Sequence, residues 1–173
     1  MQIYLLGFMG SGKSYSGKRL AELLGRAFTD LDTFIEEQEG RSVRSIFEQA
    51  GEAYFRQAEA AALRQMAAQP AAVVATGGGT PCFHQNMDWM NQNGLTIYLD
   101  TAPAVLFQRL KEGRSHRPLI RSMTEEALRQ FIHDKLQERS HYYQQASIVY
   151  QQRTGKEAVA EDLSYQFTNI IGH

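Results

Sequence analysis

The chain has 173 residues, of which 43% are hydrophobic and 21% are charged, and its formal net charge is −1. This composition is that of an ordinary globular protein of one domain with a sizeable core. A net charge near zero argues against a protein that coats nucleic acid or an anionic membrane, so an anionic ligand must be held by local clusters of lysine and arginine. The single cysteine, Cys82, excludes an intramolecular disulfide and fits a reducing compartment.

The N-terminal residues predict a short strand over residues 3–6 rather than a signal peptide, because no basic segment precedes the short apolar run. No stretch is long and apolar enough to predict a transmembrane helix. We therefore expect a cytoplasmic protein that is a monomer and has neither nucleic acid nor a membrane as partner.

Residues 7–14 read Gly-Phe-Met-Gly-Ser-Gly-Lys-Ser, which is the spacing G-x-x-x-x-G-K-S of a phosphate-binding loop. They lie between the first predicted strand and a predicted helix that ends at Gly25, as this motif requires. Backbone N–H groups and the helix N-terminus would bind the phosphates, with Lys13 at the β- and γ-phosphates and Ser14 on Mg²⁺. The residues expected to contact a nucleotide here are Gly10, Ser11, Gly12, Lys13, Ser14 and Tyr15.

Strands and helices alternate along the rest of the chain, which predicts a parallel sheet covered on both faces. Helix N-caps are expected at Ser42 and Ser122, and a cap at Asp32 is the alternative to a functional role for that residue. No repeat or linker divides the chain, so residues 1–173 are expected to form one domain. The further predicted strands are 27–30, 72–76, 95–99 and 148–150, and the further predicted helices are 33–39, 42–51, 52–69, 86–92, 104–110, 122–145 and 156–171.

Ligands of such sheets bind beyond the carboxyl ends of the strands, where three loops of unusual content should converge. These are the phosphate-binding loop, the segment Asp30-Leu31-Asp32, and the triple glycine at 77–79. One aspartate would support the metal and the other would orient or deprotonate an attacking hydroxyl, although a turn with an N-cap has the same sequence. The third strand ends without the aspartate that many phosphate-loop ATPases place there, which favours a small-molecule kinase. The glycines indicate an unusual φ, the close approach of a ligand, or only a flexible turn.

Basic residues cluster around Gly113 and Pro118, which indicates a mobile lid over about residues 111–123 that brings guanidinium groups over phosphates. A solvated basic loop is the alternative interpretation of the same residues. Arg139, taken alone, has the sequence context of a surface arginine, and Arg56 could form only a helix salt bridge with Glu59, three residues on. The members of the cluster are Arg109, Lys111, Arg114, Arg117 and Arg121.

Six motifs in order carry a resemblance to a known family: G-F-M-G-S-G-K-S, D-L-D, Y-F-R-x-x-E, T-G-G-G, R-P-L and R-x-x-x-Y. Together they resemble shikimate kinase over essentially the whole chain. The resemblance implies an α/β protein with three α/β/α layers, a five-stranded parallel sheet of order 2-3-1-4-5, and the P-loop kinase fold. It also implies transfer of the γ-phosphoryl group of ATP to the 3-hydroxyl of shikimate, giving shikimate 3-phosphate and ADP in aromatic amino-acid biosynthesis.

The resemblance also implies roles for individual residues, with Mg²⁺ as cofactor and helices at about 32–62 binding shikimate. The implied catalytic residues are Lys13, Asp32 and Arg117. The implied metal residues are Ser14 and, through water, Asp30. The implied shikimate-binding residues are Asp32, Arg56 steered by Glu59, Gly77, Gly78, Gly79 and Arg139. The implied ATP-binding residues beyond the phosphate loop are Arg109, Arg117 and Arg153.

Two segments depart from the family pattern. Residues 151–155 do not match the motif around Arg153, and Tyr15 stands where a small hydroxyl residue is usual. A kinase of the same fold acting on gluconate or a nucleoside monophosphate is the alternative enzyme, because an arginine pair binds a carboxylate or a phosphate. A GTPase switch is a further alternative, but the chain lacks its N-K-x-D signature.

Overall fold

One parallel sheet of five strands runs through the protein, whose computed structural model describes residues 1–171, with side chains described up to residue 168. The strands are β1 (Gln2–Leu6), β2 (Ala27–Asp30), β3 (Ala72–Ala75), β4 (Gly94–Thr101) and β5 (Ile148–Gln152). Their order across the sheet is β2-β3-β1-β4-β5, and every neighbouring pair is parallel. The expected fold class and strand order are therefore confirmed.

Eight helices are described, and they cover both faces of the sheet as a three-layer α/β/α arrangement. The helices are α1 (Lys13–Leu24), α2 (Leu31–Glu39), α3 (Val43–Ala50), α4 (Glu52–Ala67), α5 (Asn86–Asn93), α6 (Pro103–Gly113), α7 (Glu125–Tyr143) and α8 (Val159–Ile171). None of these helices is both long and apolar enough to cross a membrane.

The two faces of the sheet supply separate cores, because side chains alternate along each strand. Tyr4 and Leu6 of β1 lie in a cluster with residues of α2 to α5, whereas Ile3 and Leu5 face α1 and α8. Both faces of β1 are thus buried, which explains its continuous apolar sequence. A third cluster joins α6, α7 and Ile120 to Phe8, directly after β1.

Several helix ends differ from the sequence predictions. The N-cap of α2 is Asp30, whose carboxylate accepts the N–H groups of Asp32 and Thr33, so the alternative of a cap at Asp32 is wrong. The cap of α7 is Thr124 and not Ser122. The cap at Ser42 is confirmed by its bond from the Ser45 N–H.

The last helix begins at Val159, three residues later than predicted, because residues 153–157 form a turn. One oxygen of Glu157 accepts the N–H groups of Arg153 and Thr154 at 2.7 and 2.8 Å. These bonds hold the pKa of Glu157 down at about 2, led by the bond from Thr154. An ionised carboxylate therefore fixes this turn at the carboxyl end of β5.

Candidate active site

A cleft of about 830 Å³ opens at the carboxyl ends of the strands. The phosphate-binding loop, Asp30, Asp32 and Gly77 line one end of it, and the first turn of α8 lines the other. The three loops expected to converge do so here. Their convergence follows from parallel pairing, which brings the ends of β1, β2 and β3 to one edge.

The phosphate-binding loop has a backbone that only glycine adopts without strain. Gly10 and Gly12 have φ angles of 82° and 89°. The Lys13 ammonium donates to the carbonyl oxygens of Gly7 and Phe8 at 2.8 and 3.0 Å. Burial lowers the pKa of Lys13 to about 8, against the opposing effect of the nearby carboxylates. The loop therefore places the half-buried Lys13 ammonium next to a backbone whose conformation can surround an anion.

Ser14 and Asp30 form a pair of oxygen ligands beside this loop. The Ser14 hydroxyl donates to Asp30 Oδ2 at 2.7 Å, while Oδ1 of the same carboxylate caps α2. Hydroxyl and carboxylate oxygens are the ligands that Mg²⁺ accepts, usually with several waters retained. This pair fits a magnesium ion bound directly by Ser14 and through water by Asp30.

The Asp32 carboxylate is half-buried on the cleft wall, and its pKa is raised to about 6. Burial is the largest cause, the charges of Asp30 and Glu59 add to it, and Lys13 opposes it. Among the residues whose side chains are described, none donates a hydrogen bond to this carboxylate, whereas the backbone N–H of Asp32 is bonded to Asp30 Oδ1. An acceptor with free lone pairs next to Lys13 is suited to hold and orient a substrate hydroxyl.

The triple glycine is explained by crowding, and the alternative of an unusual φ is wrong because none of the three has a positive φ. A Cβ on Gly77 would lie 3.3 Å from Asp32 Oδ1, and one on Gly78 would lie 2.9 Å from Arg139 Nη1. A Cβ on Gly79 would lie 2.6 Å from Arg56 Nη2. The Cβ on Gly77 would also lie 3.1 Å from Thr80 Oγ1 and 3.3 Å from Glu59 Oε2. The glycines therefore leave room for the side chains that surround this loop.

Arg56 and Arg139 are not free surface arginines. The Arg56 side chain is 11% exposed, and its Nη1 donates to the fully buried Glu59 at 2.9 Å. Its guanidinium carbon lies 4.2 Å from the centroid of the Phe83 ring. Arg139 lies against Gly78, whose carbonyl accepts a hydrogen bond from the Tyr143 hydroxyl. Two guanidinium groups thus lie beside neighbouring glycines, although neither lines the cleft described above. An arginine pair can bind a carboxylate or a phosphate.

The arginines expected to bind ATP divide into two kinds. Arg117 lines the cleft, as does Arg109, which donates to the carbonyls of Gly10 and Gly155 at 3.0 and 3.2 Å. Arg153 does not line the cleft, because it pairs with Asp100 Oδ2 at 2.7 Å. The structure thus brings Arg109 and Arg117 to the nucleotide end and leaves Arg153 outside it.

The segment predicted as a lid covers the end of α6 and the turns that follow. Its Ile120 is fully buried in the third apolar cluster, and Arg114 donates to the Met123 carbonyl at 3.0 Å. Ile120 therefore packs the segment against the third cluster, whereas the bond between Arg114 and Met123 joins two residues of the segment itself.

The family model described as shikimate kinase matches residues 9–169. The chain belongs to the shikimate kinase family. Among curated relatives, the shikimate kinase of Phocaeicola vulgatus is 43% identical over 149 residues, 86% of this chain and 85% of that protein. The shikimate kinase of Parabacteroides distasonis is 37% identical over 171 residues, 98% of this chain and 99% of that protein.

Solved shikimate kinases have the same fold. The crystal structure from Bacteroides thetaiotaomicron has a TM-score of 0.91 at 34% identity, covering 100% of this chain and 99% of that one. The Acinetobacter baumannii enzyme in complex with shikimate has a TM-score of 0.83 at 35% identity, covering 98% and 92%. The resemblance drawn from the six motifs is therefore confirmed.

One residue of the site in this shikimate kinase family member was missed from the sequence. Gln152 is buried at the end of β5, and its amide donates to the Ser11 carbonyl at 2.8 Å and to Thr101 Oγ1 at 3.0 Å. It thereby fixes the phosphate-binding loop to the sheet. The predicted strand ended at residue 150, so Gln152 lay outside it, and only the fold extends the strand and pairs Gln152 with Ser11.

Proposed function

We propose that this protein transfers the γ-phosphoryl group of ATP to the 3-hydroxyl of shikimate, giving shikimate 3-phosphate and ADP. The observation that carries the proposal is the position of Asp32, between the phosphate-binding loop and the arginines that meet Gly78 and Gly79. A hydroxyl held by Asp32 would face the terminal phosphate on Lys13. Family membership supports the same reaction.

The acceptor end is suited to a small hydroxylated carboxylate. Arg56 and Arg139 would bind the carboxylate of shikimate, and Glu59 holds Arg56 in place. Asp32 would accept hydrogen bonds from substrate hydroxyls and orient the nucleophile. The N–H groups of Gly77, Gly78 and Gly79 would complete this pocket.

The donor end is suited to stabilising charge on the transferring phosphoryl group. This transition state is loose, so electrostatic positioning by Lys13 and Arg117 contributes more than full removal of the proton by Asp32. Ser14 and Asp30 would hold Mg²⁺, which supplies positive charge at the phosphate oxygens when bound. Tyr15 and Arg109 line the nucleotide end of the cleft and would contact ATP.

Further parts of the proposal concern the whole chain. Residues 1–173, of which 172 and 173 lie outside the described part, would form one kinase domain, with shikimate-binding helices at about 32–62 and a mobile lid at about 111–123. The protein would act as a cytoplasmic monomer without nucleic acid or membrane partners. An outward movement of the Arg153 side chain from Asp100 would be needed before it could contact ATP.

A coupled assay of ADP release tests the reaction, with ATP, Mg²⁺ and either shikimate, gluconate or a nucleoside monophosphate as acceptor. ADP release that depends on shikimate is expected, and release with another acceptor alone would overturn the proposal. Lys13→Ala should abolish turnover. Lys18→Ala, an exposed lysine on the same helix, is the matched control and should retain it.

A further inference from the structure

The Glu59 carboxylate, which accepts a hydrogen bond from Arg56, also accepts one from a second residue. Glu59 is fully buried, with Oε1 bonded to Arg56 and Oε2 accepting the Thr80 hydroxyl at 2.7 Å. Thr80 is also fully buried and directly follows the triple glycine. The orientation of Arg56 therefore depends on where the backbone places Thr80.

Thr80 is fixed in turn by Asn86, the first residue of α5. Asn86 has no exposed surface, and its Nδ2 donates to the Thr80 carbonyl at 2.8 Å. Its Oδ1 accepts from Nη1 of Arg64. Both ends of a buried amide are thus used to join the glycine loop to α4, the helix that carries Arg56 and Glu59.

Arg64, which binds Asn86, lies on α4 two turns after Arg56. It also donates to the carbonyls of Ala60 and His84 at 3.1 and 2.9 Å, and it lies 5.3 Å from the centroid of the Trp89 ring. His84 and Gln85 are consecutive non-glycine residues with positive φ angles, 47° and 55°. Such backbone costs free energy and persists only where its surroundings hold it, and it is concentrated at ligand-binding sites.

We propose that Asn86 and Arg64 are positioning residues for shikimate, acting through Thr80 and Glu59 on the carboxylate-binding Arg56. The proposal rests on the proposed function, since that function assigns Arg56 to the substrate carboxylate. Neither Asn86 nor Arg64 lines the cleft. Because their hydrogen bonds lead through Thr80 and Glu59 to Arg56, their contribution should be confined to the acceptor and should not extend to ATP.

The test is a pair of substitutions measured alone and combined with Arg56→Ala. Asn86→Ala removes both amide contacts, and Thr80→Val removes only the hydroxyl that binds Glu59. Each is expected to raise the KM for shikimate about 5- to 20-fold, the loss expected for one or two buried hydrogen bonds, with little change in the KM for ATP or in kcat. Asn93→Ala, an exposed asparagine on the same helix, is the control and should leave both constants unchanged.

The combination with Arg56→Ala separates a positioning role from a merely structural one. If Asn86 acts through Arg56, Asn86→Ala should change the KM for shikimate less than about twofold once Arg56 is absent. An equal effect in both backgrounds, or a parallel rise in the KM for ATP, would overturn the proposal. If Asn86→Ala does not fold, the effect of Thr80→Val is compared in the presence and absence of Arg56 instead. Failure of the unsubstituted protein to phosphorylate shikimate would instead refute the proposed function, and this proposal with it.

Discussion

Asp32 is expected to reduce the stability of the fold that it serves. Its pKa rises from an ordinary 3.8 to about 6, chiefly because the carboxylate is buried. A raised pKa in the folded state means that this group favours folding below about pH 4 and opposes it increasingly as the pH rises through about 6. Asp32→Asn removes the charge while keeping the shape of the side chain, so it should stabilise the protein at neutral pH and abolish most activity.

The size of the effect follows from the pKa shift. A shift of about two units corresponds to a gain of about 3 kcal/mol in the free energy of unfolding at about pH 7.5. At about pH 5 the folded state already holds the proton, so the gain should fall to about 1.5 kcal/mol. The attraction between Asp32 and Lys13 is already contained in this net shift.

Urea denaturation followed by the fluorescence of Trp89, the single tryptophan, measures the gain at both pH values. Asp88→Asn is the matched control, because Asp88 is exposed on α5 and its substitution should change stability by no more than about 0.5 kcal/mol. No stabilisation by Asp32→Asn, or a gain that is the same at both pH values, would refute the argument that burial of this carboxylate is costly.

Three further substitutions test the two ends of the cleft by steady-state kinetics. Arg117→Ala should lower kcat by about 100-fold or more with a modest change in the KM for shikimate, and an unchanged kcat would remove Arg117 from the mechanism. Arg139→Ala should mainly weaken shikimate binding, by about 10- to 100-fold, and normal binding would argue against the carboxylate clamp. Gly79→Ala should raise the KM for shikimate because its Cβ displaces Arg56, whereas unchanged kinetics would show that the crowding at this loop is not needed for binding.

The sheet could be predicted because its physical causes are local in sequence. Residues 3–6 of β1 and all four residues of β3 are apolar, as strands buried on both faces require. The glycine at each end of α1 has a positive φ and marks a boundary that sequence alone indicates. The helix caps at Asp30 and Thr124 were missed because several residues near each helix start have side chains able to cap.

The contacts inside the site could be predicted only in part. Residues of the phosphate-binding loop are adjacent in sequence, so their spacing predicts their arrangement. Gln152 and Ser11 are 141 residues apart, and the amide of Asn86 meets Arg64 on another helix. A buried glutamine or asparagine satisfies its hydrogen bonds with whatever the fold brings near, which spacing along the chain does not indicate.

At the triple glycine, the need for space can be predicted from the sequence, whereas the side chains that fill the space are known only from the fold. Its sequence indicates only that the backbone needs room, and side chains prove to take that room: those of Thr80, Asp32 and Glu59 around Gly77, Arg139 at Gly78 and Arg56 at Gly79. Asp32, Arg139 and Arg56 meet at one short loop after β3, and the buried contacts of Glu59 and Asn86 behind that loop lead to only one of them, Arg56. Under the proposed function, those contacts would therefore support binding of the acceptor's carboxylate and leave the hydroxyl-binding Asp32 unaffected.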